Sequence, residues 1–211
     1  MFVSIEGIDS VGKTRICKIL ARRLSPDYTV TLVSDPPDFA PWDDLRDTLL
    51  GDKRIAESAR AMVFLAARID AYSRIIKPEI QQRKKTVILS DRFTDSWFAY
   101  QSVKNRPLFR TTEAALMFFE SINSTCVRNG LLTMPDKTFL IIGNVAEAVR
   151  RSAGKKATVF DRVQTQRNVQ RTYLRLAAAS EGRIKVVNSH GRTLDQIGRL
   201  IETEIRNFLE N

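Results

Sequence analysis

A three-layer α/β/α sandwich around a five-stranded parallel sheet is the architecture expected of this chain. Two observations point to it. Five short runs of apolar, β-branched residues are near-continuous rather than alternating, the pattern of strands covered on both faces of a parallel sheet. Segments with helical spacing of Leu, Ile, Phe, Ala and Tyr lie between them, and strand alternating with helix implies right-handed crossovers. The length of 211 residues suits a single domain, 1–211, with one sizeable core. Hydrophobic content of 43% beside 27% charged residues argues against disorder.

In chain order, Phe2–Ile5 opens the sheet and Arg15–Leu24 is the first helical segment. Thr29–Val33 is the second strand, and Asp35-Pro-Pro-Asp38 with Pro41 marks the loop after it. Glu57–Gln82 is long and apolar on several sides, so it is expected to be buried. The strand Thr86–Leu89, the helix Thr112–Arg128 and the strand Thr138–Ile142 follow. The helix Thr165–Ala179, the strand Ile184–Val187 and the helix Leu194–Leu209 complete the series. There is no internal repeat, low-complexity tract or linker.

The net charge of +10 favours anionic partners such as nucleotides, phosphates or nucleic acid. The charges are spread along the chain, with one concentration at Arg150 to Lys156, so charge alone does not establish nucleic-acid binding. The two cysteines, Cys17 and Cys126, are too far apart for a metal knuckle and read as reduced thiols. No stretch has the apolar length of a membrane span, and the strand-like opening leaves no room for a signal peptide. A cytoplasmic location is expected.

Gly7-Ile-Asp-Ser-Val-Gly-Lys-Thr14 matches G-x-x-x-x-G-K-[ST] in full, with a strand before it and a helix after it. Gly7 and Gly12 let the backbone curl, with Ser10 and Val11 between them, so that amide N–H groups face phosphate oxygens. The positive end of the next helix adds to the cradle. Lys13 is placed to reach the β- and γ-phosphates, and the Thr14 hydroxyl to sit on Mg²⁺. This is the P-loop nucleoside triphosphate hydrolase fold class, with ATP and Mg²⁺ as the expected cofactors. Ser90-Asp91-Arg92 follows the third strand, where ligands sit in open α/β sheets. Asp91 is placed to support the metal, directly or through water, and Arg92 to grip a phosphate.

Taken together these residues resemble the thymidylate kinase family of nucleoside monophosphate kinases, from about Phe2 to Ile201. The landmarks are Glu6-Gly-Ile-Asp9 with Gly12-Lys13-Thr14, Phe64-Leu-Ala-Ala-Arg68, Asp91-Arg92 with Ala99-Tyr100-Gln101, and Pro135-Asp136 before a buried strand. The resemblance implies transfer of the ATP γ-phosphoryl to dTMP or a related pyrimidine deoxynucleotide. Phe64 would stack on the pyrimidine, and Arg68, one turn on, would donate to a base carbonyl. Arg92 would hold the acceptor phosphate, and Asp9 would lie near the sugar 3′-hydroxyl or the metal. Ser96, Tyr100 and Gln101 would complete the substrate pocket. A lid at about 150–162 would bring Arg150, Arg151, Lys155 and Lys156 over the donor phosphates, with Asp161-Arg162 just beyond. The cradle itself carries no Arg, so lid arginines would supply the transition-state charge. A homodimer through helices including the long one is also implied.

The sequence departs from the family pattern in the loop Ser34-Asp-Pro-Pro-Asp-Phe39, which has no basic residue where an Arg is usual. Trp97 and Phe98 are bulkier than expected beside a base pocket; they either alter it or pack the core. His190, the single histidine, reads as a turn residue. Three other readings stand beside the kinase of dTMP. A deoxynucleoside kinase would need a carboxylate base, for which Asp91 or Glu6 could serve. A DNA-binding P-loop ATPase or DNA kinase would use the positive charge and stack bases on Trp97, Phe98 and Tyr100. A nucleotide-binding module without catalysis is disfavoured by Lys13, Thr14, Asp91 and Arg92.

Overall fold

The apolar, β-branched runs form the sheet in a computed structural model that describes residues 1–52, 54–82, 85–152 and 163–210. The strands are β1 (Phe2–Glu6), β2 (Thr29–Ser34), β3 (Thr86–Asp91), β4 (Lys137–Ile142) and β5 (Ile184–Asn188). All four pairings are parallel, in the order β2-β3-β1-β4-β5. Every residue of β1 is buried, as are five of β3, which is why these strands read as continuous apolar runs. The two outer strands depart from the expectation of burial on both faces. No residue of β2 is fully buried, and β5 buries only Ile184 and Val187. Both lie at sheet edges, where helices cover less of the strand.

The described helices are α1 (Lys13–Leu24), α2 (Trp42–Gly51), α3 (Glu57–Ala71), α4 (Lys77–Gln81), α5 (Thr94–Lys104), α6 (Arg106–Phe109), α7 (Thr112–Arg128), α8 (Val145–Ser152), α9 (Val163–Ala179) and α10 (Leu194–Glu210). The long segment expected as one helix is broken by a π-helical turn at Tyr72–Ile76 between α3 and α4. Pro78 accounts for the break, since it has no N–H to donate to the Arg74 carbonyl and its ring crowds that group. The periodicity missed α5 because nine of its eleven residues are buried, leaving no polar face to set a period.

The register places the functional residues. Ile5 stands opposite Asp91, and the Arg92 N–H donates to the Ile5 carbonyl (3.1 Å). The loop after β1 and the turn after β3 therefore leave the sheet side by side at its carboxyl edge.

Candidate active site

The loop from Gly7 to Gly12 is enclosed by its neighbours. Gly7 has φ +143°, and a Cβ there would lie 2.5 Å from the Ile141 carbonyl oxygen of β4. Gly12 has φ +101°, and its Cβ would meet Leu194 Cδ2 of α10 at 2.7 Å. Only glycine serves at either position, on grounds of both dihedral and space. Lys13, the first residue of α1, is buried and donates to the Ile8 carbonyl inside the loop (2.8 Å). Burial, with the Arg92 charge adding to it, pulls its ammonium down to about 8, against Asp9, Asp91 and Glu6. Thr14 Oγ1 donates to Asp91 Oδ2, joining the cradle to the end of β3. Among the described residues no group of three or more His, Cys, Asp or Glu could hold a metal. A hydroxyl beside one carboxylate fits Mg²⁺, which takes few protein ligands and completes its octahedron with phosphate oxygens and water.

Arg92 stands beside the cradle, against its first glycine. Its φ of +72° turns the side chain back over the cradle. Nη1 donates to the Gly7 carbonyl (3.1 Å) and Ser96 Oγ (3.0 Å), while Nη2 donates to Asp9 and to Tyr100 OH (3.3 Å). The Tyr100 ring lies under the guanidinium at 4.9 Å. Asp9 also accepts from Gln166 Nε2 of α9 (3.0 Å). Burial favours a protonated Asp9, but Arg92 and Lys13 outweigh it and hold the carboxyl below its usual range.

Beneath Arg92 lies Glu6, fully buried at the end of β1. Oε1 accepts from Ser4 Oγ (2.9 Å) and the Phe93 N–H (2.7 Å). Oε2 accepts from Ser96 Oγ (2.5 Å) and Tyr173 OH (2.9 Å). Burial, reinforced by the charge of Asp95, pushes its carboxyl up to about 7. Glu6 therefore ties β1, the turn that carries Arg92, and α9 to one another.

Phe64 is half-buried on α3, one turn before Arg68. Arg68 is 2% exposed and reaches the loop after β2, where its Nε donates to Asp35 Oδ2 (2.7 Å) and its Nη2 lies 2.5 Å from the same oxygen as an ion pair. Its guanidinium lies 5.5 Å from the centroids of both the Phe93 and Trp97 rings. Burial raises the Asp35 carboxyl, opposed by Arg68.

Several expected roles change with these contacts. Trp97 and Phe98 are buried, and Trp97 Nε1 donates to the Ala61 carbonyl (2.9 Å), so both are packing residues. With Tyr100 also buried, these rings offer no open face to a nucleic-acid base. The Ser96 hydroxyl serves Glu6, Tyr173 and Arg92, and Gln101 Oε1 accepts from Asn105 Nδ2 (3.3 Å). Arg151 on α8 donates from Nε to the Ser10 carbonyl (3.2 Å), which brings it onto the cradle, while Arg150 is exposed. Lys155, Lys156, Asp161 and Arg162 lie outside the described residues. Sequence reasoning missed Gln166, Tyr173 and the pairing of Asp35. Gln166 and Tyr173 stand two turns apart on one face of α9, and a buried Gln at a core position of a helix is the signal that could have found it.

A closed phosphate cradle, a hydroxyl–carboxylate pair at its end and a half-buried arginine beside it define a P-loop phosphotransferase acting on nucleotides. Residues 5–200 match the model of the thymidylate kinase family. The chain belongs to that family. It is 32% identical to a probable thymidylate kinase of Thermococcus gammatolerans over an alignment of 219 positions that covers 97% of each chain. It is 31% identical to the thymidylate kinase of Cupriavidus metallidurans over 204 positions, 95% of each. The fold is that of the thymidylate kinase from Ehrlichia chaffeensis, with a TM-score of 0.73 and 24% identity over 99% of this chain and 98% of that one.

Proposed function

We propose that this protein transfers the γ-phosphoryl group of ATP to the 5′-phosphate of dTMP, giving ADP and dTDP. The carrying observation is Arg92, a half-buried cation held over the cradle by Asp9, Ser96 and the Gly7 carbonyl. An acceptor monophosphate has a second pKa of about 6 and is anionic at neutral pH, so no general base is required. Lys13 draws charge from the β- and γ-phosphates, Arg92 orients the acceptor phosphate, and Arg151 adds positive charge at the cradle rim. Thr14 and Asp91 would hold Mg²⁺, which supplies charge neutralisation between the phosphates when bound. Phe64 and Arg68 face the base, and Asp9 the sugar. Ser96 acts through Arg92 rather than on the base.

The geometry disfavours a hydroxyl acceptor. Such a reaction needs a free carboxylate base, but Asp91 is engaged by Thr14, Asp9 by Arg92 and Gln166, and Glu6 by four donors. We read residues 1–211 as one catalytic domain, acting in the cytoplasm as a homodimer. No helix among the described residues is long and apolar enough to cross a membrane. The exposed row Ala59, Met62 and Ala66 on α3 supports a dimer through that helix.

The test is ADP release from ATP and Mg²⁺ with each nucleoside, each nucleoside monophosphate and single-stranded DNA as acceptor. Turnover with dTMP is expected. Turnover only with a nucleoside or with DNA would overturn the assignment.

A further inference from the structure

Glu6 has a second buried carboxylate as its neighbour. Asp95 stands in the first turn of α5, one residue before Ser96, and has no exposed surface. Arg183, just before β5, holds it in a fork: Nη2 donates to Oδ1 (2.7 Å) and Nη1 to Oδ2 (2.9 Å). Thr138 Oγ1 of β4 also donates to Oδ2 (2.9 Å). The register sets Thr138 opposite Ser4 of β1, and Ser4 Oγ donates to Glu6 Oε1 (2.9 Å). The two carboxylates are therefore joined along two routes. One runs through the paired strand residues Thr138 and Ser4. The other runs through the backbone from Asp95 to Ser96, whose hydroxyl donates to Glu6 and accepts from Arg92 Nη1. Two like charges buried together disfavour ionisation of both. Arg183 neutralises Asp95, so the strain falls on Glu6: after burial itself, the Asp95 charge does most to raise the Glu6 carboxyl. The other charged or titratable groups that act on Glu6 are Arg92, Arg183, Lys13 and Cys17 of α1, and Tyr173 of α9.

We propose that Asp95 is a positioning residue for the acceptor side, acting through Glu6 and Ser96 on Arg92. With Glu6 ionised, its oxygens accept from Ser4, Phe93, Ser96 and Tyr173, and Ser96 is fixed where it takes the hydrogen bond of Arg92. A protonated Glu6 has a hydrogen to donate to one of these neighbours, which must turn round or move away. Arg92 then loses a support. Asp95 thereby sets the pH above which Arg92 is firmly held, and being fully buried it does so without touching a nucleotide. This rests on the reading of the protein as a kinase of dTMP with Arg92 on the acceptor.

The experiment follows kcat/KM for dTMP from about pH 5.5 to about pH 9. It uses the wild type, Asp95→Asn, Arg183→Lys, Glu6→Gln, and Glu6→Gln combined with Asp95→Asn. Titration of the acceptor phosphate is common to all and cancels in the comparison. Removing the Asp95 charge should move the Glu6 limb of the profile down by about one pH unit. The value near pH 5.5, relative to that near pH 8.5, should then rise about tenfold over the wild type. Arg183→Lys keeps both charges and loses only the fork, so it should leave the limb in place. In the Glu6→Gln background the Asp95 substitution should move nothing. Should Asp95→Asn fail to fold with Arg183 unpaired, Asp95→Asn with Arg183→Gln removes both charges and should move the limb in the same direction. A limb that stays put without the Asp95 charge, that moves equally in Arg183→Lys, or that moves in the absence of Glu6 overturns the role of Asp95. Normal turnover of dTMP beside any of these leaves the kinase assignment standing. No turnover of dTMP by the wild type refutes that assignment, and with it the acceptor that Asp95 would serve.

Discussion

Replacing Glu6 by Gln tests whether a buried carboxylate holds the acceptor side together. Glu6 ionises at about 7 in the folded protein, against 4.5 for an ordinary glutamate, because burial and Asp95 disfavour its charge. Between these values the folded state keeps a proton that the unfolded chain has released. The stabilising contribution is therefore fully present below pH 4.5 and is lost as pH rises through 7. About 2.5 units at 1.36 kcal/mol each come to about 3 kcal/mol. Titrations shared by the two proteins cancel in the difference between them. On raising the pH from 4.5 to 8, Glu6→Gln should gain about 3 kcal/mol on the wild type, or roughly 6–12 °C in Tm for a chain of this size. Urea and thermal melts of both proteins across that range measure it. Curves that run parallel to within about 0.5 kcal/mol would refute the placement of an ionisable, solvent-excluded carboxyl at this point. The same variant presents an amide N–H to Ser96 or Tyr173 where Oε2 now accepts, so Arg92 loses its fixed neighbour and the KM for the acceptor should rise.

Three further outcomes are expected. Because Lys13 ionises at about 8 and its charged form meets the phosphates, ATP binding near pH 8.5 should take up close to half a proton or more. Calorimetry in buffers of different ionisation enthalpy reads that uptake, and Lys13→Met should abolish it. Arg92→Ala should lower kcat/KM for the acceptor by about 10²–10³-fold while the KM for ATP stays within about threefold; equal losses on both substrates would contradict an acceptor role. Phe64→Ala should weaken acceptor affinity by about 10-fold or more through lost stacking, seen in direct titration with dTMP.

Much of the scaffold could be read from the chain because its signals are local. The cradle is contiguous, and its flanking strand and helix follow from apolar run and period. Asp91 and Arg92 were legible as a strand end. The parts that were not legible depend on distance in sequence. Asp35 meets Arg68 across 33 residues, and Glu6 meets Tyr173 across 167. No periodicity encodes such pairings. The loop that lacks a basic residue looked deficient in sequence, whereas in space it supplies an acid to an arginine on α3. Ser96 was legible as a site residue, but only the fold shows that its hydroxyl is taken up by Glu6 and Arg92. The edges of the sheet were misjudged for another reason: β2 and β5 have the composition of central strands, and only the strand order exposes them.

That order also bears on how the chain is made. β1 is synthesised first yet lies in the middle of the sheet, between β3 and β4. It is buried throughout in the finished fold. After residue 6 emerges, its first partner begins only at Thr86 and its second at Lys137. At 5–20 residues per second, an apolar strand with both edges unpaired persists for roughly 4–16 s on a nascent chain. Such an edge is a template for pairing with another molecule. The most aggregation-exposed moment in the life of this protein therefore falls on the ribosome, before the turn that carries Arg92 has been joined to it.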